Sequence, residues 1–105
     1  MTTPDLSAML AQAQQMQARL QEAQEAAKQQ VVEGTAGGGM VTVEMTGGLE
    51  LRRVKIDPKI VDAKDVGMLE DLIAAAVNHA LGKAQALQSD AMRNAAGGLA
   101  IPGLF

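Results

Sequence analysis

The chain has 105 residues, a formal net charge of −3 and one aromatic residue, Phe105. This length favours a single domain, and the scarcity of aromatic side chains predicts a thin core that a second copy of the chain would help to bury. No cysteine is present, which excludes disulfides and thiolate metal sites. No stretch approaches 18 apolar residues and the N-terminus lacks a secretion signal, so we expect a cytoplasmic protein without a membrane segment.

Residues 5–30 predict one long helix, with Asp5 or Ser7 able to cap its start. Apolar residues then recur at alternating steps of three and four, which is the spacing of a coiled-coil seam. The seam is well made up to Leu20 and weakens beyond it. We therefore predict that the first helix contacts a second copy through a helix seam, which consists of Leu6, Met9, Met16 and Leu20.

Two strands are predicted to follow the helix. The segment from Gln30 to Ala36 contains a β-branched pair and is predicted to be extended. A turn of three glycines, 37–39, separates it from Met40–Thr46, where apolar and polar residues alternate. This glycine run fits no phosphate-binding pattern, so we interpret it as a hairpin turn.

The third strand is predicted over Leu49–Asp57, after a two-residue turn with positive φ at Gly47 and Gly48. Its alternation slips in the middle, because Leu49 and Leu51 are odd-numbered while the later apolar residues are even-numbered. The slip predicts a β-bulge at Arg52-Arg53, and Pro58 ends the strand because proline has no N–H to donate.

A second long helix is predicted from about Asp65 to about Ala95. Its apolar stripe has a period of roughly 3.6 residues. The stripe consists of Val66, Leu69, Ile73, Val77, Ala80, Ala84, Leu87 and Ala91. The sequence thus predicts one α+β domain over residues 1–98, with two helices flanking a small antiparallel sheet, and a flexible tail over 99–105.

Residues that could carry catalysis are few. His79 is the only histidine, and no obvious ligand set or carboxylate partner accompanies it on its helix. Glu70 and Asp71 are adjacent, so on a helix they point about 100° apart and form no acid–base pair. We therefore expect no enzyme activity, no cofactor or metal, and no small-molecule substrate.

The one basic cluster consists of Arg52, Arg53, Lys55 and Lys59. One interpretation is that these charges merely keep the strand solvated and discourage edge-to-edge pairing. They can also contact phosphates, and a two-fold dimer would double their number and make binding to duplex DNA strongly salt-dependent. No aromatic side chain is available to stack on bases, which argues against a platform for single strands. The net charge of −3 leaves an alternative open, a dimeric protein-interaction module with incidental DNA affinity.

Several segments of the chain occur together in one known family. They are the Gln- and Met-rich helix Met9–Gln24, the glycine-rich hairpin, the Arg-Val-Lys-Ile-Asp-Pro segment 53–58, the stretch Met68–Asn78, and a tail with Pro-Gly that ends in Phe105. In this order they resemble the YbaB/EbfC family of small bacterial nucleoid-associated proteins. The resemblance covers nearly the whole chain.

The resemblance implies an α-β-β-β-α subunit and an intertwined homodimer. It further implies that paired helices grip double-stranded DNA with little sequence preference and alter its conformation. The implied roles are nucleoid organisation, DNA protection and gene regulation, with a location in the nucleoid. Family members often carry lysine at the opening of the first helix, whereas this chain has Asp5 there and no basic residue before Arg19. We therefore expect Arg52, Arg53 and Lys55 to carry more of the DNA contact.

Overall fold

The computed structural model describes residues 5–97, and the predicted tail at 99–105 lies outside them. The elements follow the order α-β-β-β-α, with one short 3-10 turn before the last helix. They are α1 (Leu6–Gln29), β1 (Val31–Ala36), β2 (Val41–Thr46), β3 (Leu51–Ile56), the 3-10 turn (Pro58–Ile60) and α2 (Val66–Ala95). The predicted α+β class and its antiparallel three-stranded sheet are confirmed.

Aspartate side chains begin each helical element. Asp5 accepts hydrogen bonds from the backbone N–H groups of Ser7 and Ala8, at 3.0 and 3.4 Å. Asp65 accepts from the N–H of Met68 at 3.3 Å, and Asp57 caps the 3-10 turn. These carboxylates satisfy N–H groups that have no partner within the helix, which is why both helices begin where the sequence predicts.

The sheet has the order β1-β2-β3, and α2 packs across β1 and β2. The apolar residues of β2 face this helix, as the alternation predicts. The buried core consists of Val41, Val43, Met45, Ile60, Ala76, Ala80 and Ala84. Val41 and Val43 are the largest fully buried side chains, so the core is as thin as the composition indicates.

The stripe predicted for α2 is partly wrong. Ala76 is fully buried although it lies outside the predicted stripe, whereas Val66 is 49% exposed. The reason is a close approach of two backbones: a Cβ atom added at Gly34 of β1 would collide with the backbone of Ala76 and Ala80. Alanine and glycine let the helix lie directly on the strand, and a stripe drawn through large apolar residues misses this contact.

The predicted two-residue turn between β2 and β3 is also wrong. Within residues 5–97, positive φ angles occur at Leu49 and at the glycines 37–39, and not at Gly47 or Gly48. The N–H of Leu49 donates to the carbonyl of Thr46, and the N–H of Thr46 donates to the carbonyl of Glu50, both at 2.9 Å. This is a three-residue loop whose last residue takes the left-handed conformation.

Gly47 serves close packing instead of turn geometry. A Cβ atom added there would collide with the carbonyl of Ala27 in α1 and would crowd Leu87 in α2. The side chain of Gln88 also donates to the carbonyl of Gly47. The last turn of α1 and the second half of α2 therefore meet at this turn, and the rest of α1 leaves the sheet beside the last turns of α2. The result is an elongated molecule measuring 81 × 25 × 16 Å.

Candidate nucleic-acid interface

The candidate interface lies on the open face of the sheet, which is the face turned away from α2. Arg53 is paired with Glu44 of β2, and Lys55 is paired with Thr42. Residues directly opposite each other in an antiparallel pair share a face, and neighbours along a strand alternate. Since Val43 faces α2, Arg53 and Lys55 lie on the open face, where both are exposed.

The bulge in β3 determines this arrangement. Glu44 pairs with Arg53 and Met45 pairs with Leu51, so Arg52 has no partner on β2. The register shift falls where the sequence predicts a β-bulge. The extra residue lets Leu51 stay on the side of α2 while two arginines follow each other without burying either one.

Arg52 lies at the base of α1. It is exposed and lines a cleft between the end of this helix and the β2–β3 loop, together with Lys28, Gln29, Thr46, Gly48 and Glu50. Lys28, which also forms an ion pair with Glu25, is a lining residue that the sequence did not indicate. No local signal could have revealed it, because the contact joins segments far apart in the chain.

Lys59 lies beyond the other end of β3, on the 3-10 turn. Its backbone N–H donates to the Asp57 carboxylate at 2.9 Å, and its side chain is exposed. The basic cluster is thus a row that follows the length of β3. Arg53 and Lys55 share the open face, Arg52 lies at the bulge near the start of β3, and Lys59 lies past its last residue.

None of the four basic residues has an ion-pair partner within 4.0 Å in the described part of the chain. The ion pairs found there are Lys28 with Glu25, at 3.4 Å, and Arg93 with Asp90, at 3.3 Å. Acidic residues nevertheless share the open face, because Glu33 lies opposite Glu44. The face is therefore basic along β3 and acidic toward β1.

His79 has a structural contact. Its Nδ1 atom accepts a hydrogen bond from the backbone N–H of Thr35 at 3.0 Å. The bond ties α2 to the outer edge of β1, the strand at one side of the sheet. No group of three or more metal-ligating side chains occurs within residues 5–97, and no helix in this range is long and apolar enough to cross a membrane.

Two apolar surfaces remain without a neighbour in the described chain. Leu51 and Val54 lie on the side of β3 that faces α2, yet they are 48% and 38% exposed, because α2 covers the other two strands. In the helix seam, Met16 and Leu20 are half-buried, whereas Leu6 and Met9 are 70% and 56% exposed. The seam as a contact between two copies stays a prediction.

Comparison with known proteins assigns this chain to a class of DNA-binding proteins. A model of the YbaB/EbfC DNA-binding family matches residues 1–99. The chain belongs to this family, as the resemblance in its sequence indicates.

Relatives named as nucleoid-associated proteins match over nearly their full length. One from Mycobacterium sp. strain KMS is 50% identical over 104 residues, covering 96% of this chain and 94% of the relative. One from Gluconobacter oxydans is 46% identical over 98 residues, covering 93% and 92%. A crystal structure of an uncharacterized Helicobacter pylori protein shares the fold with a TM-score of 0.67 and 22% identity, covering 93% of this chain and all of the other.

Proposed function

We propose that this protein is a nucleoid-associated protein that binds double-stranded DNA as a homodimer and alters its conformation. The single observation that carries the proposal is the row of exposed basic side chains along β3, none of them paired with an acid in the described chain. Membership in a DNA-binding family and the names of the relatives support it. The expected roles are nucleoid organisation, DNA protection and gene regulation.

Binding would occur through the phosphate backbone. Arginine and lysine on a strand surface reach phosphate oxygens without reading base edges, so contacts of this kind position a protein and carry no sequence information. We therefore expect little sequence preference beyond DNA shape and deformability. Arg53 and Lys55 are the central contacts in this proposal, with Arg52 and Lys59 extending the row at its ends.

We propose the uncovered side of β3 as the contact between the two copies. Leu51 and Val54 are exposed on a face that elsewhere forms the core, and burying such residues is worth about 25 cal/mol per Å² of apolar surface. A two-fold axis near β3 would also bring two basic rows together. The helix seam is a second candidate for contact between copies.

The relatives' names place them with the nucleoid, and we extend this location in the cytoplasm to the present chain. We propose no enzymatic role. Within the described residues the one histidine holds a strand edge, and no nucleophile lies beside a base.

The test is a titration of duplex DNA at several salt concentrations with wild type and an Arg53→Ala/Lys55→Ala variant. Each phosphate contact contributes about 0.9 to the slope of log affinity against log salt, so a dimer that loses four contacts should lose about 3 to 4 from its slope. The charge-matched control is Lys64→Ala/Lys83→Ala, which removes two exposed cations outside the row. If both variants lose the same slope, the row is not the binding site.

A protein-interaction module remains the alternative function, favoured by the net charge of −3 and by the acidic residues on the open face. In that case wild type would bind duplex DNA weakly at near-physiological salt, and a partner protein would stay bound after nuclease treatment.

A further inference from the structure

A polar cleft lies where the last turn of α1 meets the loop between β2 and β3. We call it the arm-base cleft, because α1 leaves the sheet there as a projecting arm. It has a volume of about 600 Å³, and its lining consists of Lys28, Gln29, Thr46, Gly48, Glu50 and Arg52. No purely apolar side chain is among them, whereas pockets for uncharged small molecules are lined mainly by apolar groups. The arm-base cleft therefore suits a charged, hydrated group.

Both walls of the arm-base cleft are held in place by hydrogen bonds. The N–H of Thr46 donates to the carbonyl of Glu50 at 2.9 Å, and the N–H of Glu50 donates to the hydroxyl of Thr46 at 3.2 Å. The loop is joined to the end of α1, because the N–H of Gly47 donates to the carbonyl of Gln30 at 2.8 Å. A ligand would therefore meet a cleft whose backbone is already formed, and binding would not have to order a loop.

The aliphatic part of Lys28 rests against this loop. A Cβ atom added at Gly48 would lie 3.3 Å from Cγ of Lys28 and 3.5 Å from its Cβ. The side chain of Lys28 is 40% exposed, and its ammonium group contacts the carboxylate of Glu25 at 3.4 Å. The side chain of Glu25 is 69% exposed, and ion pairs that are this open to water contribute little to stability. Another anion can therefore replace Glu25 at the ammonium group.

Arg52 lines the same cleft from the side of the sheet. It is the extra residue of the β-bulge and has no partner on β2, and a bulge redirects the side chain that it carries. The lining thus holds two cations, Lys28 and Arg52, and one carboxylate, that of Glu50. It also includes the exposed backbone of Gly48, whose N–H donates to no acceptor within residues 5–97.

Two cations that line one polar cleft match the chemistry of a phosphate group. A guanidinium group forms paired hydrogen bonds with phosphate oxygens, and an ammonium group adds a compact positive charge. Because Arg52 also extends the basic row along β3, phosphates that follow each other along one DNA strand would occupy the cleft and the row together. A free phosphate ion would make only the contacts within the open cleft.

We propose that the arm-base cleft holds one backbone phosphate of bound duplex DNA between Lys28 and Arg52. The proposal rests on the proposed function and adds Lys28 to the residues that contact DNA. It brings the DNA backbone to the point where α1 joins the sheet, so that bound DNA contacts both.

The first test measures the affinity for duplex DNA against salt for Lys28→Gln, Arg52→Gln and the double variant. Glutamine keeps the Cβ and Cγ atoms that lie near Gly48 and removes the charge. Loss of one phosphate contact per protomer should lower the slope of log affinity against log salt by about 2 in a dimer. Since both side chains hold one phosphate, the double variant should lose less affinity than the product of the two single losses.

Two results of this titration would overturn the proposal. One is a pair of single losses that simply multiply in the double variant, which would mean that the two side chains act independently. The other is a loss from Lys28→Gln no larger than that from the control Lys64→Gln, which removes an exposed cation outside the cleft.

The second test follows the backbone amide resonance of Gly48 by NMR, with a short DNA duplex and with inorganic phosphate as separate probes. The duplex should shift this resonance in wild type and not in Lys28→Gln/Arg52→Gln. A shift with inorganic phosphate and none with the duplex would mean that the cleft takes free phosphate, and the proposal would be wrong. A duplex that shifts the amides of Arg53 and Lys55 but not that of Gly48 would refute the cleft site alone. A wild type that binds no duplex would refute the proposed function as well.

Discussion

The two long helices share one chain but differ in how they are held. α2 lies with its backbone directly on β1, through Gly34, Ala76 and Ala80, and it contributes Ala76, Ala80 and Ala84 to the core. α1 contributes Ala27 as its only fully buried residue and then leaves the sheet. In this protein with a thin core, small residues, and not large apolar ones, determine which helix is held against the sheet. Four pairs of substitutions test how these regions are held, beginning with the largest effect.

Gly34→Ala should remove most of the stability of the sheet domain. The new methyl group would collide with the backbone of α2, which cannot move aside without breaking the core, and we expect a loss of about 3 kcal/mol or more in the free energy of unfolding. Chemical denaturation followed by circular dichroism measures it. The control is Gly82→Ala in the exposed part of α2, where nothing lies within 4 Å of the added carbon and alanine should stabilise by about 0.5 to 1 kcal/mol. Similar results for both variants would refute the close-packing argument.

Val54→Asp should separate the two copies of the proposed dimer while leaving each protomer folded. Val54 is 38% exposed on the uncovered side of β3, so a carboxylate there remains solvated in a single protomer but would be buried in the contact. Sedimentation velocity at micromolar concentration should show a change from dimer to monomer, a shift of more than tenfold in the dissociation constant. Met9→Asp, in the exposed part of the helix seam, is the comparison: if it dissociates the dimer and Val54→Asp does not, the helix seam is the contact between copies.

His79→Ala should weaken the outer edge of β1 by about 1 kcal/mol, the net contribution of one hydrogen bond. The amide hydrogen of Thr35 should exchange faster with solvent. The amides of β2 should lose only the protection that corresponds to the change in global stability. Asn78→Ala removes a neighbouring exposed side chain for which the structure shows no hydrogen bond, and it should leave Thr35 unchanged. Equal protection of Thr35 in all three proteins would mean that the bond to His79 contributes nothing.

The smallest global effect concerns the two capping aspartates and compares the helices directly. Asp65→Ala should cost about 1 kcal/mol of global stability, because the start of α2 belongs to the packed domain. Asp5→Ala removes an equivalent cap, yet it should only fray the first turns of α1, with little change in the unfolding midpoint. Hydrogen exchange along both helices measures the difference. A comparable loss of global stability from Asp5→Ala would show that the outer part of α1 unfolds together with the sheet.

Much of the fold could be predicted because its signals are local. The aspartate caps, the alternation of Val41, Val43 and Met45, and the stop at Pro58 each depend on neighbours within a few residues. Even the bulge shows in the sequence, as a change of parity along β3. The contacts that the sequence did not predict join segments that are far apart in the chain. They are the contact of Gly34 with Ala76 and the contact of Gly47 with Ala27. In a sequence, glycine is usually interpreted as a turn residue. Only the folded chain shows that these glycines allow two backbones to approach closely.

For the candidate site, the sequence indicates the composition but not the arrangement, and its contact with DNA stays a prediction. A cluster of four basic residues could be found by counting charges, whereas its division between the open face and the two ends of β3 depends on strand pairing. Lys28 was missed for the same reason, since it reaches Arg52 only across the base of α1. The acidic neighbours Glu33 and Glu44, which give the sheet its polarity, become neighbours only through the register of β1 and β2.

The contact between Gly47 and Ala27 has a consequence for the distance that two arms of a dimer would span. This contact helps to set the angle at which α1 leaves the sheet, and a rotation of one degree there displaces Leu6 by about 0.5 Å, given a helix of about 31 Å. A single added methyl group at the pivot would therefore change the gap between the arms by several ångströms. In the proposed dimer, the width of the DNA that fits between the arms would thus depend on Gly47, a residue at the base of the arm.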